Sequence, residues 1–348
     1  MLRLTIGLFA QPFTTLPLPP HGTFARKTAV VTGANTGIGL ETSRHLLALG
    51  APRVIIGVRN ATKGEAAKVS LLKTPGISAD AQVEVWDLDQ SSFASVKAFC
   101  ARAAALEKID YLFLNAGVMS THFNTTADGW EEILQVNDLS TTLLGLLLLP
   151  KLILQSRAAS AAAGNSLADA DLPRMIITTS GMHVVAPFLE RSAPNCLAVL
   201  NERSNFEKNR FDRTIQYQNS KLLNVYITRA LARLVPHTDG KPLVIVATVD
   251  PGLCKSTLGR ADTPIPTRIL NRLTGYTNEY GSRNLLIAAA GGIEGQGGYY
   301  TSMGKLGSPG GLSVGPEGQL LQEKVWTEIT TVLREVAPEI GPVVDGSL

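Results

Sequence analysis

Cysteine, histidine and net charge are all scarce in this chain of 348 residues, and each scarcity argues against a class of site. The three cysteines, Cys100, Cys196 and Cys254, are widely spaced and form no CxxC pair, which argues against a disulfide framework and a zinc site. The five histidines have no HExxH or comparable ligand spacing, so we predict that no metal is bound. Because this cysteine usage fits a reducing compartment, we expect a cytoplasmic protein.

The formal net charge is only +3, and no run of Lys or Arg stands out along the chain. The electrostatic footprint of a nucleic-acid binder is therefore missing. A composition with 45% hydrophobic residues, 18% charged residues and 32 glycines is typical of a globular protein with a sizeable core. We expect a small-molecule partner and no nucleic acid.

Two apolar stretches bear on membrane association. The N-terminal MLRLTIGLFA is followed by the Pro-rich QPFTTLPLPP, which lacks a small-residue cleavage site and so argues against a secretory signal. The run at 139–154, LSTTLLGLLLLPKLIL, is shorter than the ~20 residues that span a bilayer, and it contains Pro150 and Lys151. It predicts a buried or subunit-facing helix and no stable membrane insertion.

From Lys27 onward, short runs rich in Val, Ile and Leu alternate with helical patterns, which predicts βαβ units and a parallel sheet covered by helices on both faces. The candidate strands lie at 28–33, 53–58, 82–87, 111–117, 174–180, 242–250 and 297–302. The clearest candidate helices lie at 37–50, 91–107 and 218–235.

The chain shows no internal repeat and no convincing linker, so we predict a single domain over 27–340 that follows an N-terminal extension, 1–26. Two segments, at about 181–213 and 253–280, have little periodicity or are rich in Pro, Gly and Thr. Long irregular segments inside a compact domain are typically lids or binding loops, and we expect these two to border the substrate.

A glycine-rich sequence, TGANTGIG at 32–39, comes directly after the first predicted strand and leads into the first helix. Gly33, Gly37 and Gly39 permit a tight turn and a close approach of the backbone to a pyrophosphate, whose charge meets free N–H groups at the helix N-terminus. No Gly-Lys-Ser/Thr follows, which excludes a P-loop. At this position the motif predicts a dinucleotide site.

The end of the second strand selects between the two nicotinamide cofactors. An NAD site would carry Asp or Glu here, whereas this chain reads GVRN, with Val58 followed by Arg59. A carboxylate would repel a 2′-phosphate, and a guanidinium binds one bidentately, so we predict NADP(H). The alternative is that Arg59 is a solvated charge at a strand end.

Two further strand ends lie at the edge of the sheet where ligands bind in such folds. Asp87 closes the third strand and is a candidate to accept a bond from the adenine amino group, with the Leu88 backbone beside it. The sequence NAG, comprising Asn115, Ala116 and Gly117, closes the fourth strand, where small residues allow the adenosine ribose to approach.

The sequence YQNSK at 217–221 places a lysine one helical turn after a tyrosine. A free tyrosine has a pKa of about 10, and lowering it toward 7 requires roughly 4 kcal/mol of preferential phenolate stabilisation. Because residues four apart share a helix face, Lys221 is predicted to stand beside Tyr217 and supply that stabilisation, while also reaching the nicotinamide ribose. The pair predicts a proton donor for a substrate that exchanges hydride.

Two more polar residues complete this predicted group. Ser180, at the end of the fifth strand, is placed to polarise a carbonyl, and Thr179 is the competing candidate. Asn137, in the helix after NAG, is predicted to hold a water that relays protons toward Lys221. Taken one at a time, Ser180 is equally a turn former, Asn137 a polar helix residue and Lys221 a solvated charge.

The order of these motifs resembles the short-chain dehydrogenase/reductase family over roughly residues 27–305, from TGANTGIG through NAG, YQNSK and VDPGLCKST (249–257). Through GVRN, SKLLNV and the C-terminal GGYYTS, the chain is similar to the retinol-dehydrogenase-like branch and to reductases of fungal secondary metabolism. The resemblance implies a single-domain α/β Rossmann fold with a doubly wound, seven-stranded parallel sheet. It departs from the family's pattern at Asp250, where His or Asn is common, and at Thr179, where a second serine is frequent.

The resemblance also implies roles for residues on both sides of the site. The implied catalytic residues are Ser180, Tyr217, Lys221 and Asn137. The implied cofactor contacts are Gly33, Asn35, Thr36, Gly37, Ile38, Gly39, Arg59, Asp87, Leu88, Asn115, Ala116, Gly117, Tyr217, Lys221, Pro251, Gly252 and either Ser256 or Thr257.

These observations predict an NADP(H)-dependent enzyme that interconverts a ketone or aldehyde and an alcohol, most simply a ketoreductase of secondary metabolism. The substrate is expected to be fairly large and apolar, because the two irregular segments offer apolar side chains to wall a pocket. The candidates for that wall are Phe188, Leu189, Leu197, Leu200, Ile265 and Ile269. The alternatives are a non-catalytic NADP(H)-binding sensor or scaffold and a sugar-nucleotide epimerase or dehydratase, and both a monomer and a homodimer remain open.

Overall fold

Strands and helices alternate along the chain from Thr28, as the runs of Val, Ile and Leu predict. The computed structural model describes residues 14–164, 167–208, 214–255 and 275–347. The strands are β1 Thr28–Thr32, β2 Arg53–Val58, β3 Gln82–Asp87, β4 Tyr111–Leu114, β5 Arg174–Thr178, β6 Ile245–Val249, β7 Tyr299–Tyr300 and β8 Leu306–Gly307. The helices are α1 Gly37–Ala48, α2 Ala61–Leu72, α3 Phe93–Ala104, α4 Glu132–Ala162, α5 Cys196–Leu200, α6 Arg203–Lys208, α7 Ile215–Arg233, α8 Asn278–Ala290 and α9 Gly315–Val336. A separate two-stranded hairpin pairs His237–Thr238 with Lys241–Pro242, and a last helical turn covers Gly341–Val344.

The main sheet has the order β8-β7-β6-β5-β4-β1-β2-β3. All neighbours from β7 to β3 pair in parallel, which confirms the predicted doubly wound parallel sheet, and β8 adds an antiparallel strand at one edge. Strand order reverses at β1, which pairs with β2 on one side and β4 on the other. In open α/β sheets, ligands bind at the carboxyl ends of the strands at such a point.

The side chains of each strand divide between two apolar cores, one on each face of the sheet. Val30 packs into the core formed with α3, α4, α7 and α9, whereas its neighbour Val31 packs into the core formed with α1, α2 and α8. Successive residues of a strand point to opposite faces, so a strand covered on both faces must be apolar throughout. That requirement explains the continuous Val/Ile/Leu runs.

Helix α4 covers Glu132–Ala162 and is longer than the apolar run at 139–154 that predicted it. By length and hydropathy it could cross a membrane, but 72% of its most apolar window is buried inside the protein. Leu143, Leu144, Leu148 and Leu149 belong to the core between this helix and the sheet. The prediction of a buried helix is therefore confirmed.

The segment predicted as an irregular loop, 181–213, is largely helical where the structure describes it. It contains two 3₁₀ turns, Gly181–Val185 and Leu189–Ser192, followed by α5 and α6. These elements are too short to leave a helical period in the sequence, which is why the pattern was missed. The second irregular segment lies mostly outside the described residues.

The prediction that apolar residues of this segment wall a substrate pocket is wrong for three of them. Phe188, Leu197 and Leu200 are at most 1% exposed and belong to the core, because the short helices fold back onto the body beside α9. Leu189 is 59% exposed. Ile265 and Ile269 lie outside the described residues.

The described part of the N-terminal extension packs against α8. The hydroxyl of Tyr280 accepts a hydrogen bond from the Leu16 N–H at 2.8 Å and donates one to the Thr14 carbonyl at 2.7 Å. Arg283 donates to the Leu16 carbonyl at 3.0 Å, and the Leu16 side chain is fully buried. Residues 14–20 are therefore attached to the element that follows the second irregular segment.

Candidate active site

The glycine-rich turn between β1 and α1 has the backbone geometry that its sequence predicts. Gly33 and Gly37 have φ of +66° and +63°, the left-handed region that other residues rarely adopt. A Cβ at position 33 would lie 2.8 Å from the Cα of Ala116, so only glycine permits this approach to the NAG segment. Thr36, the residue before α1, makes no side-chain capping bond, which leaves the first N–H groups of α1 available to an anion.

The NAG segment is held to β1 by a residue that the sequence analysis did not single out. The hydroxyl of Thr32 accepts the backbone N–H groups of Asn115 and Ala116, each at 3.0 Å. The Asn115 amide donates to the Thr32 carbonyl, also at 3.0 Å. Asn115 thus joins the ends of β1 and β4. A Cβ at Gly117 would lie 3.2 Å from Asn137 Oδ1 and 3.6 Å from Lys221 Nζ, so this segment runs beside both side chains.

The side chains predicted to select the adenine end of the cofactor lie at neighbouring strand ends. Arg59 and Asp87 are exposed, at the ends of β2 and β3. Within the described ranges, neither side chain has a hydrogen bond or an ion pair with another residue. Leu88 is buried against Phe99 and Gly57, so only its backbone borders this surface.

Helix α7 brings Tyr217 and Lys221 to one buried face. The Nζ atom of Lys221 lies 5.5 Å from the centroid of the Tyr217 ring. Ser180 is the side chain near enough to the Tyr217 phenol to lower its pKa through hydrogen bonding. Thr179, the competing candidate, instead donates to the Lys221 carbonyl at 2.7 Å and is buried. The geometry therefore favours Ser180 over Thr179 as the group beside the phenol.

The electrostatics of this pair differ from the sequence-based expectation. Burial raises the pKa of Tyr217 above its ordinary value, the bond with Ser180 opposes that rise, and the nearby Asp250 adds to it. Burial also lowers the pKa of Lys221 to about 8, with Asp138 opposing the change. The expectation that Lys221 lowers the pKa of the phenol considered only the positive charge and left out burial. Burial has the largest effect on the pKa of Tyr217.

Asn137 lies in a π-helical turn, Gln135–Leu139, within α4. Its side chain accepts the Val118 N–H at 2.8 Å and donates to the Val118 carbonyl and the Ser220 hydroxyl, both at 3.0 Å. Single π turns inside α-helices occur often at functional sites. Asn137 thereby joins the end of the NAG segment to the helix that carries Tyr217.

The side chain of Asn224 links Lys221 to the backbone of Asn137. Lys221 Nζ donates to Asn224 Oδ1 at 3.0 Å, and Asn224 Nδ2 donates to the Asn137 carbonyl at 2.8 Å. Sequence reasoning missed Asn224, although its position three residues after Lys221 places it on the same helix face.

Asp250, the departure from the family's pattern, supports the turn formed by Pro251 and Gly252. Its carboxylate accepts the Gly252 N–H at 2.9 Å and the Tyr299 hydroxyl at 3.4 Å, and Gly252 has φ of +82°. Asn284 donates to the Pro251 carbonyl at 3.3 Å. The predicted contacts Ser256 and Thr257 lie outside the described residues.

The backbone around Ser180 is also held from behind. Both ring nitrogens of the buried His183 face carbonyl oxygens, Nδ1 at 2.6 Å from that of Ser180 and Nε2 at 2.8 Å from that of Pro309. The Ser180 hydroxyl accepts the Met182 N–H at 3.3 Å at the start of the 3₁₀ turn. Ser180 is thus fixed on both its main chain and its side chain.

Known proteins resemble this chain in sequence. A family model described as short chain dehydrogenase matches residues 27–166. The short chain dehydrogenase sol3 of Alternaria solani is 38% identical over 296 residues, which are 84% of this chain and 96% of that protein. The short chain dehydrogenase/reductase dmxR8 of Cryptosporiopsis sp. is 35% identical over 336 residues, covering 96% of this chain and 98% of that one.

Solved structures share the fold. An uncharacterised protein from Mycobacterium paratuberculosis superposes with a TM-score of 0.61 at 26% identity, over 90% of this chain and 94% of that one. An NADPH-bound carbonyl reductase from chicken fatty liver superposes with a TM-score of 0.58 at 18% identity, over 82% of this chain and 99% of that one. The Rossmann fold and the family predicted from the motifs are confirmed, and the chain belongs to the short-chain dehydrogenase/reductase family of oxidoreductases.

Proposed function

We propose that this protein is an NADP(H)-dependent reductase that interconverts a ketone or aldehyde and an alcohol. The observation that carries the proposal is the convergence of Ser180, Tyr217 and Lys221 beside the glycine turn at the carboxyl edge of the sheet. NADP(H), when bound, supplies or accepts the hydride. The protein must then manage one proton and the charge on the substrate oxygen.

Each of the three side chains has a separate part in that task. Tyr217 holds the proton, which the raised pKa keeps on the phenol at neutral pH, and donates it to the carbonyl oxygen during reduction. The Ser180 hydroxyl polarises the same carbonyl. A charged Lys221, 5.5 Å from the ring, stabilises the phenolate that remains, since an opposite charge at this range favours the ionised form.

The preference for NADP(H) rests on Arg59. Its exposed guanidinium lies at the end of β2 and has no ion-pair partner within the described residues, so it is available to a 2′-phosphate. The structural neighbour from chicken fatty liver is named as NADPH-bound, which supports the same assignment.

The substrate class is proposed from the family and from the segment that follows Ser180. The two fungal relatives are named only as a short chain dehydrogenase and a short chain dehydrogenase/reductase, and a role in secondary metabolism on a medium-to-large apolar substrate is our extension. Because the predicted apolar wall is partly core, the segment 181–208 is expected to shape the substrate site through its position beside Ser180. We also propose a cytoplasmic location and one domain over 27–340.

The proposal is tested by NADPH oxidation with a panel of ketones and aldehydes, comparing the wild type with Tyr217→Phe. We expect Tyr217→Phe to lower kcat by about 100-fold or more, because a positioned acid contributes ~10²–10⁴-fold, while NADPH binding is retained. The matched control is Tyr226→Phe, on the same helix, whose hydroxyl bonds the Leu312 carbonyl at 2.8 Å. NADPH binding with no Tyr217-dependent turnover on any substrate would instead indicate a sensor or scaffold.

A further inference from the structure

A chain of three buried side chains leads away from Tyr217 into the protein. Lys221 Nζ donates to Asn224 Oδ1 at 3.0 Å, and Asn224 Nδ2 donates to Asp138 Oδ1 at 3.1 Å. All three residues are at most 5% exposed. The path joins α7 to the π-helical turn of α4, next to Asn137.

The orientation of the Asn224 amide is fixed by its partners. Its two N–H groups are directed to the Asn137 carbonyl at 2.8 Å and to Asp138 Oδ1 at 3.1 Å. A flipped amide would turn an N–H group toward the Lys221 ammonium and an oxygen toward the carboxylate, so both contacts would repel. Asn224 therefore presents its oxygen to Lys221 and its nitrogen to Asp138.

Asp138 lies in an environment where a carboxyl group is energetically unfavourable. The residue is fully buried, and its Oδ2 finds no hydrogen-bond partner among the described residues. Burial raises the pKa of Asp138 well above its ordinary value, the positive charge of Lys221 opposes that rise, and Glu131 adds to it. An apolar side chain would avoid this desolvation cost, so stability alone does not explain the carboxyl group.

The ammonium group of Lys221 has few charged neighbours besides this one. Tyr217 faces it from its own helix, Asp138 faces it from α4 through Asn224, and β5 presents the Thr178 carbonyl, which accepts from Nζ at 3.3 Å. Asp250, from the end of β6, acts on Tyr217. With one N–H on Asn224 and one on Thr178, the third N–H of Lys221 is left for the ribose hydroxyls of the cofactor.

We propose that Asp138 and Asn224 are positioning residues for the reductase reaction: Asn224 fixes the place of the Lys221 ammonium, and Asp138, ionised opposite that ammonium, favours its charged form. The inference rests on the proposed function, because it assigns a role within that active site. Asp138 acts through the charge of Lys221, which must be present when Tyr217 gives up its proton.

The test is the pH dependence of kcat/KM for ketone reduction. Burial lowers the pKa of Lys221 to about 8, and Asp138 opposes this, so wild-type activity should fall as the pH rises through about 8. Asp138→Asn removes the charge with little change in size. We expect the alkaline limb of the pH profile, the pH range in which kcat/KM falls, to move about one pH unit lower. Activity should then be near wild type at pH 6 and about tenfold lower above pH 8, whereas a merely structural defect would lower it equally at every pH.

Two further variants make the test specific. Asp138→Asn combined with Asn224→Asp moves the carboxylate next to Lys221 at constant net charge, and we expect the alkaline limb to return to the wild-type position or above it. Thr142→Val removes the hydroxyl that donates to the Asp138 carbonyl at 2.7 Å, and it should leave the limb unchanged. An unshifted limb in a folded Asp138→Asn variant would overturn the proposal.

The double variant also decides the case in which Asp138→Asn fails to fold, as judged by circular dichroism. A folded double variant with its alkaline limb at or above that of the wild type supports the proposal, and one with its limb below the wild type contradicts it. Tyr217→Phe, measured in parallel, separates this inference from the proposed function. Full activity in Tyr217→Phe would refute the function itself, whereas an inactive Tyr217→Phe with an unshifted Asp138→Asn limb refutes only the role of Asp138.

Discussion

At the scale of single residues, the side chains proposed to act in catalysis differ in how far the sequence could predict them. Ser180, Tyr217 and Lys221 were predictable because they fall in strand and helix order around a recognisable glycine turn. The spacing of Asn224 from Lys221 indicates a shared helix face, but its bond to Asp138 could not be predicted until the packing of α4 on α7 is known. The raised pKa of Tyr217 was missed for the same reason, since burial is a property of the whole fold.

The exposed guanidinium of Arg59 leads to a prediction about cofactor choice. Arg59→Ala should raise the KM for NADPH by about 10- to 100-fold, because charge-assisted bonds to a phosphate contribute about 1.5–3 kcal/mol. kcat/KM with NADH should stay nearly constant, since NADH has no 2′-phosphate. Steady-state kinetics with both cofactors give this comparison, and Lys63→Ala, an exposed cation on α2, is the control. Equal losses with NADPH and NADH would show that Arg59 does not read the phosphate.

At the scale of elements, long periodic patterns were predictable and short elements were not. The strands β1, β2 and β3 begin where their sequences predict, and α4 is a buried helix as its leucines indicate. Strand β7 has only two residues but lies within the candidate strand at 297–302. Strand β8, with two residues, and helices α5 and α6, with five and six, are too short to show a period and were not predicted. The apolar residues of α5 were read as a pocket wall because sequence alone does not separate a buried face from a ligand-facing one.

The glycine turn permits a test at this scale. Gly33→Ala should abolish measurable NADPH binding, because a Cβ would lie 2.8 Å from the Ala116 Cα and the backbone has φ of +66°. Gly129→Ala is the matched control, since Gly129 has φ of +85° but no atom within 4 Å of its Cβ position. It therefore reports backbone strain alone. Isothermal titration with NADPH compares the two, and unimpaired binding by a folded Gly33→Ala variant would contradict the assigned role of the turn.

At the scale of the whole molecule, the two faces of the sheet are stabilised by different parts of the chain. One face is covered by α1, α2 and α8, and the segment that follows Thr14 is attached to α8 by the Tyr280 hydroxyl. The other face is covered by α3, α4, α7 and α9, and includes the helix that carries Tyr217 and Lys221. Composition could not indicate the attachment of the N-terminal segment, because its contacts are made by Tyr280 and Arg283, more than 260 residues away along the chain.

Removing the Tyr280 hydroxyl should lower the stability of the fold by a measurable amount. Tyr280→Phe leaves the Leu16 N–H and the Thr14 carbonyl without this partner, and we expect the free energy of unfolding to fall by about 1–3 kcal/mol in urea denaturation. Limited proteolysis should show faster cleavage within residues 14–20. Tyr226→Phe is the comparison, because its hydroxyl donates to the Leu312 carbonyl at 2.8 Å on the other face of the sheet, and it should not alter that cleavage. Identical cleavage patterns in both variants would show that the Tyr280 hydroxyl does not hold the segment.

The most direct test of the catalytic assignment is a single-turnover measurement of NADPH oxidation with a ketone that the wild-type protein reduces, because it separates the chemical step from product release. The rate in Tyr217→Phe should be at least about 100-fold below that of the wild type, with the dissociation constant of NADPH unchanged. A Tyr217→Phe variant that oxidises bound NADPH at the wild-type rate would contradict the role of Tyr217 as the proton donor.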